Sequence, residues 1–134
     1  MTAILDTSML IGLTKPSDPW NVWATAQFTT LKQQGPLILL DIVYAEVSVG
    51  MKDKHSMDSV VFQLGLQRYP GNDEALYRAG EAFRLYKTRK GQKQRVLPDM
   101  IIGAVAEIER IPLITANPAD IISYFPSVQI ISPP

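Results

Sequence analysis

Ala3-Ile4-Leu5-Asp6-Thr7-Ser8-Met9-Leu10-Ile11 is the stretch on which the fold turns. Three apolar residues that run straight into an acid predict a short buried strand, and Thr7 to Leu13 predicts a short helix behind it. A strand without alternation is covered on both faces, as in a parallel sheet between helices. The same signature returns at Leu37-Ile38-Leu39-Leu40, at Leu113-Ile114-Thr115 and at Val128-Gln129-Ile130-Ile131. Helical periodicity fills the intervals. Trp20, Trp23, Ala24, Phe28 and Leu31 share one face of a helix over 20–34, which Gly35-Pro36 ends. Asp41 is expected to cap a helix over 42–51, and a further helix is expected over 57–66. Asn72 caps a longer one to about Lys90, with Gly91 as its stop, and Pro98 opens another to about Arg110. Residues 15–19 and 52–56 read as loops, and 68–71 as a break with room for a brief strand. Asn117-Pro118-Ala119-Asp120 reads as a turn into a short helical piece. The expected fold is a single α/β domain over 1–134, a three-layer α/β/α sandwich with a short, mostly parallel central sheet of about four or five strands.

Composition removes several chemistries. The 134 residues include no cysteine, which excludes disulfide scaffolds, thiolate metal sites and cysteine nucleophiles. The one histidine, His55, stands in a polar stretch expected to be a surface loop, which argues against a Ser-His-Asp triad. No apolar run reaches the ~18–20 residues of a membrane span. The opening residues carry no basic region before their apolar run, so no signal peptide is expected and the expected location is the cytoplasm.

What remains is oxygen chemistry. Ligands of an open parallel sheet bind beyond the carboxyl ends of its strands. Asp6 follows the first strand, Thr115 and Asn117 end the third, Asp99 lies in the first turn of the preceding helix, and Glu46 lies in the helix after the second strand. Taken alone, Asp6 and Asp99 also read as helix-start acids, Thr115 as a strand residue and Asn117 as a turn residue. Ile42, Glu46 and Val49 share a helix face that is apolar apart from the glutamate, and a carboxylate among buried groups requires a partner or a metal. Gathered at one rim, such hard oxygen ligands suit Mg²⁺ or Mn²⁺, which can activate water and stabilise charge on a phosphate.

In this setting the segment Ile4 to Ile11 resembles the opening of PIN-domain ribonucleases. Asp41-Ile42-Val43-Tyr44-Ala45-Glu46-Val47 resembles the second acidic motif of that family. Leu97 to Ala104 resembles the third, and Leu113-Ile114-Thr115-Ala116-Asn117-Pro118 with Tyr124-Phe125-Pro126 the fourth. The length is similar to that of VapC-type toxins, the stand-alone PIN proteins of toxin–antitoxin pairs. The resemblance implies a Mg²⁺- or Mn²⁺-dependent endoribonuclease. Asp6, Glu46 and Asp99 would form its catalytic metal pocket, and Ser8, Thr115 and Asn117 would support it. It also implies an RNA substrate, a small antitoxin whose tail covers the pocket, and a homodimer. Asn117 departs from the aspartate of many members; an amide can hold a water but cannot act as a base. Asp120, three residues on, is expected to be a surface residue.

The net charge is zero, but residues 82–98 carry Arg84, Lys87, Arg89, Lys90, Lys93 and Arg95 without an acid. That strip is +6 and the remainder −6, and it leads straight to Asp99, so these six are candidate RNA contacts. Tyr86 is a candidate stacking residue, while Tyr69 and Tyr77 read equally as packing residues. The aromatic helix at 20–34 reads as a packing helix or a partner surface. Two other readings stand beside the nuclease: a catalytically silent PIN-like module that binds RNA or protein, suggested by Asn117, and a receiver-like domain. The second lacks its acidic pair, because Asp6 stands alone at its strand end.

Overall fold

The computed structural model describes residues 2–89 and 96–134. Among them the order is β1 (Ala3–Leu5), α1 (Thr7–Thr14), α2 (Asn21–Lys32), β2 (Leu37–Leu40), α3 (Asp41–Ser48), α4 (Lys54–Leu64), β3 (Gln67–Tyr69), α5 (Asp73–Thr88), α6 (Leu97–Glu109), β4 (Leu113–Ile114), α7 (Ala119–Tyr124) and β5 (Ile130–Ile131). The five strands form one sheet in the order β3-β2-β1-β4-β5, with every pairing parallel.

The strand residues explain the layering. All of β1, β2 and β4 is buried, so each of these strands is covered on both faces. The chain runs outward from β1 to β2 to β3, then returns to the other side of β1 for β4 and β5. Right-handed crossovers in opposite directions send their helices to opposite faces. Accordingly α1 packs on α2 and α3, and α3 on α4, while α6 packs on α5 and α7. The core lies between, with Leu5, Met9, Leu10, Leu39, Met100, Ile102 and Phe125 inaccessible to solvent.

Several expectations need correction. Asp41 does not cap α3: it is the helix's first residue, its side chain makes no cap bond, and it pairs with Arg68 from β3 at 2.5 Å. The helix stops at Ser48 rather than Met51. The loop expected at 52–56 is largely the first turn of α4, because Asp53 caps it by accepting from both the N–H and the hydroxyl of Ser56 at 2.8 Å. His55 therefore sits on an exposed helical turn. The brief strand at 67–69 is present, and the last strand is reduced to 130–131. The aromatic helix packs on α1, with Trp23 and Phe28 half-buried against the core. Tyr86 is buried between Phe83 and Tyr124, which removes it as a stacking platform, whereas Tyr77 is 72% exposed rather than packed. No described helix is long and apolar enough to cross a membrane.

Helix α6 approaches α7 closely at Gly103, where an added Cβ would stand 2.4 Å from Cδ2 of Phe125. Phe125 is fully buried and cannot retreat into solvent. Gly103→Ala is therefore expected to destabilise the protein by about 2 kcal/mol through overpacking, read as a lower urea midpoint. Combining it with Phe125→Leu should recover part of the loss; an unchanged midpoint in the single variant would show that this contact yields freely.

Candidate active site

The sheet sets the site by register. Leu5 pairs with Ile114, so the residues that follow, Asp6 and Thr115, leave β1 and β4 side by side. The Asp6 N–H donates to the Ile114 carbonyl at 3.0 Å, which extends the ladder to the acid itself. The chain reverses its direction of travel across the sheet between these two strands, and a crevice opens beyond their carboxyl ends at such a switch point.

Asp6 is only 6% exposed. Its Oδ1 accepts from the Thr7 N–H at 2.7 Å, so the capping expected at this position is real. Its Oδ2 accepts from Thr115 Oγ1 at 2.5 Å and from Ser8 Oγ at 3.1 Å. The direction of these last two bonds is fixed from behind. Ser8 Oγ accepts from the Ala116 N–H, and Thr115 Oγ1 accepts from the Asn117 N–H, both at 3.0 Å. Each hydroxyl accepts from one backbone N–H and has a single proton, which it donates to the Asp6 carboxylate.

Thr7 carries the arrangement to the next helix. Its hydroxyl donates to Glu46 Oε1 at 2.6 Å, which ties α1 to α3 and brings Glu46 beside the Asp6 turn. The expected buried apolar setting for Glu46 is not found: Val49 is 87% exposed, and α3 buries Val43 and Val47 instead. Glu46 is half-buried at the margin of that face. Thr7 is the residue that sequence reasoning missed. A hydroxyl directly after the strand-end acid was the available signal, but its partner is 39 positions away.

The remaining candidates are placed by their own elements. Asp99 is half-buried in the first turn of α6. Asn117 is exposed, while Asp120, expected at the surface, is half-buried in the first turn of α7. Among the described residues, no three acidic or histidine side chains converge closely enough to hold a metal ion. The donor chemistry nevertheless suits a hard divalent cation, since Asp6 and Glu46 offer carboxylate oxygens at one strand end. Arg84, Lys87 and Arg89 are exposed at the C-terminal end of α5, with the Arg89 guanidinium 5.2 Å from the Tyr124 ring. Lys90, Lys93 and Arg95 fall outside the described residues.

Burial dominates the electrostatics of Asp6. Desolvation pushes its pKa above the ordinary 3.8, against the opposing pull of hydrogen bonds from Thr115, Thr7 and Ser8. The native state thus holds this proton more tightly than the unfolded chain. The stability it contributes is full below the ordinary value and is lost as pH rises through the elevated one. A neighbouring cation reverses that penalty.

Comparison with known proteins follows the same lines. The sequence pattern described as the PIN domain matches residues 3–121. None of the curated proteins compared matches the chain. Among solved structures, the chain is similar to VapBC2 from Rickettsia felis bound to a promoter DNA fragment, with a TM-score of 0.74 at 18% identity over 100% of both chains. It is similar to VapBC-1 from nontypeable Haemophilus influenzae, at 0.73 and 19% over 98% of each. A toxin–antitoxin complex from Klebsiella pneumoniae gives 0.67 and 27% identity, over 96% of this chain and 95% of that one.

The Asp6 penalty is measurable by difference. The stability of the wild type minus that of Asp6→Asn is expected to fall as pH rises above about 4, because the amide does not titrate. Subtraction cancels the exposed carboxylates Asp53 and Asp58, whose pKa values shift downward through hydrogen bonds from Ser56 and Lys54 respectively. A flat difference would show that Asp6 is not desolvated in the folded protein.

Proposed function

The chain belongs to the PIN-domain family, and we propose that it is a Mg²⁺- or Mn²⁺-dependent endoribonuclease, the toxin of a toxin–antitoxin pair. The observation that carries this reading is the buried Asp6 carboxylate, held at the switch point of the sheet by hydroxyls from two elements. An ionised group at such a position is costly without a counter-charge.

In this reading Asp6, Glu46 and Asp99 would hold the cation. When bound, it supplies positive charge against a phosphate and a more acidic water. The protein's own side chains orient the parts. Ser8 and Thr115 fix Oδ2 of Asp6 in place, and Thr7 ties Glu46 to the turn that follows it. Asn117 supports the site as a neutral amide, able to hold a water and unable to take its proton. Phosphates of the RNA approach over the basic end of α5, where Arg89 stands beside α7. The similar structures are toxin–antitoxin complexes, which supports a small antitoxin as partner.

Cleavage of a mixed RNA pool tests the reading. Wild-type protein should cut with Mg²⁺ or Mn²⁺ and fall silent in EDTA. Asp6→Asn and Asp99→Asn should each lower the rate by more than the roughly 10–100-fold typical of losing a supporting partner, with unchanged circular dichroism. Equal cutting by wild type and both variants would overturn the assignment. RNA binding without cutting in any metal, unrelieved by Asn117→Asp, would favour a silent binding module.

A further inference from the structure

Two carboxylates from different elements share Thr7 as a partner. Its backbone N–H donates to Oδ1 of Asp6 at 2.7 Å, and its hydroxyl donates to Oε1 of Glu46 at 2.6 Å. Among the described residues, no other side chain hydrogen-bonds or ion-pairs with the Glu46 carboxylate. Glu46 is half-buried on α3, which packs on α1, so this single bond ties it to the Asp6 turn.

The reach of the Thr7 hydroxyl follows from its place in the helix. Other helical hydroxyls of this chain turn back on their own backbone. Thr14 donates to the Leu10 carbonyl at 3.0 Å, Thr29 to that of Thr25 at 2.9 Å and Ser48 to that of Tyr44 at 2.7 Å, each four residues back. Thr7 is the first residue of α1, and four residues before it stands Ala3, in β1. No helical carbonyl is there to take its proton, which goes to a partner across the contact of α1 with α3. Branching at Cβ stiffens the side chain, and the cap bond to Asp6 fixes the backbone from which it leaves.

The type of donor matters as well. Carboxylates drawn together repel one another. A lysine or arginine between them would hold both, but its charge would oppose the entry of a cation. Thr7 supplies one neutral donor to each carboxylate and adds no charge.

We propose that Thr7 is a positioning residue that makes Glu46 part of the cation site. Its hydroxyl acts through Glu46, not as a ligand, and sets how tightly the cation is held. The proposal rests on the reading of Asp6 and Glu46 as cation ligands, and it requires neither RNA nor cleavage.

Mn²⁺ titration calorimetry on the purified full chain tests it. Thr7→Val keeps the N–H, the branching and nearly the same shape, but removes the hydroxyl. It should weaken Mn²⁺ binding about 10–100-fold, the range for losing a partner that orients a ligand, with unchanged circular dichroism. Thr7→Ser restores the hydroxyl and should stay within about threefold of wild type. Because the effect passes through Glu46, Glu46→Ala and its double variant with Thr7→Val should bind alike, within about threefold. A wild type without saturable Mn²⁺ binding would overturn the cation reading and this proposal with it. Saturable binding that Thr7→Val leaves unchanged, or that Thr7→Ser weakens as much as Thr7→Val, would overturn the role of Thr7 alone. So would a double variant weaker than Glu46→Ala by the full factor that Thr7→Val costs in the wild type.

Discussion

The proposed site depends on one buried carboxylate. Asp6 is the point where the sheet's hydrogen-bond ladder ends and side-chain chemistry begins. Its amide still belongs to the sheet, through Ile114, while its carboxylate gathers Thr7, Ser8 and Thr115. Burial raises its pKa and three hydrogen bonds pull the other way, with burial the stronger influence. The result is a group whose ionised form is well oriented and poorly solvated. A divalent cation would relieve that condition.

Topology explains why the carboxylate lies there. Strands β2 and β3 add to one side of β1, and β4 and β5 to the other. The loops after β1 and β4 therefore diverge toward opposite faces and leave a crevice between them. The hydrogen bonds of Ser8 to Asp6 and to the Ala116 N–H stitch the two loops together across that gap. Thr7 does the same between α1 and α3. Three consecutive side chains, Asp6, Thr7 and Ser8, thus link β1, α1, α3 and the end of β4.

Much of this is legible in the chain because the strands are short and apolar throughout. Ala3–Leu5 and Leu37–Leu40 declare a doubly covered parallel sheet without knowledge of their partners. What is not legible depends on partners distant in sequence. Asp41 looks like a cap until Arg68, 27 positions away, claims its carboxylate. Lys54–Ser56 looks like loop because all three residues are polar, although Asp53 caps a helix there. Tyr86 looks like a stacking platform until α7 brings Tyr124 against it. Within the site, Asp6 and Thr115 could be named from strand ends, and Ser8 from the family resemblance. The role of Thr7 and the marginal position of Glu46 required the packing of α1 on α3.

The central claim is that the buried Asp6 carboxylate anchors a divalent cation. Titration calorimetry with Mn²⁺ near neutral pH, in two buffers of different ionisation enthalpy, addresses it without any substrate. Binding that is saturable, abolished by Asp6→Asn and accompanied by proton release that varies with pH is the expected result. Equal Mn²⁺ affinity in wild type and Asp6→Asn, with no proton released in either, would contradict it.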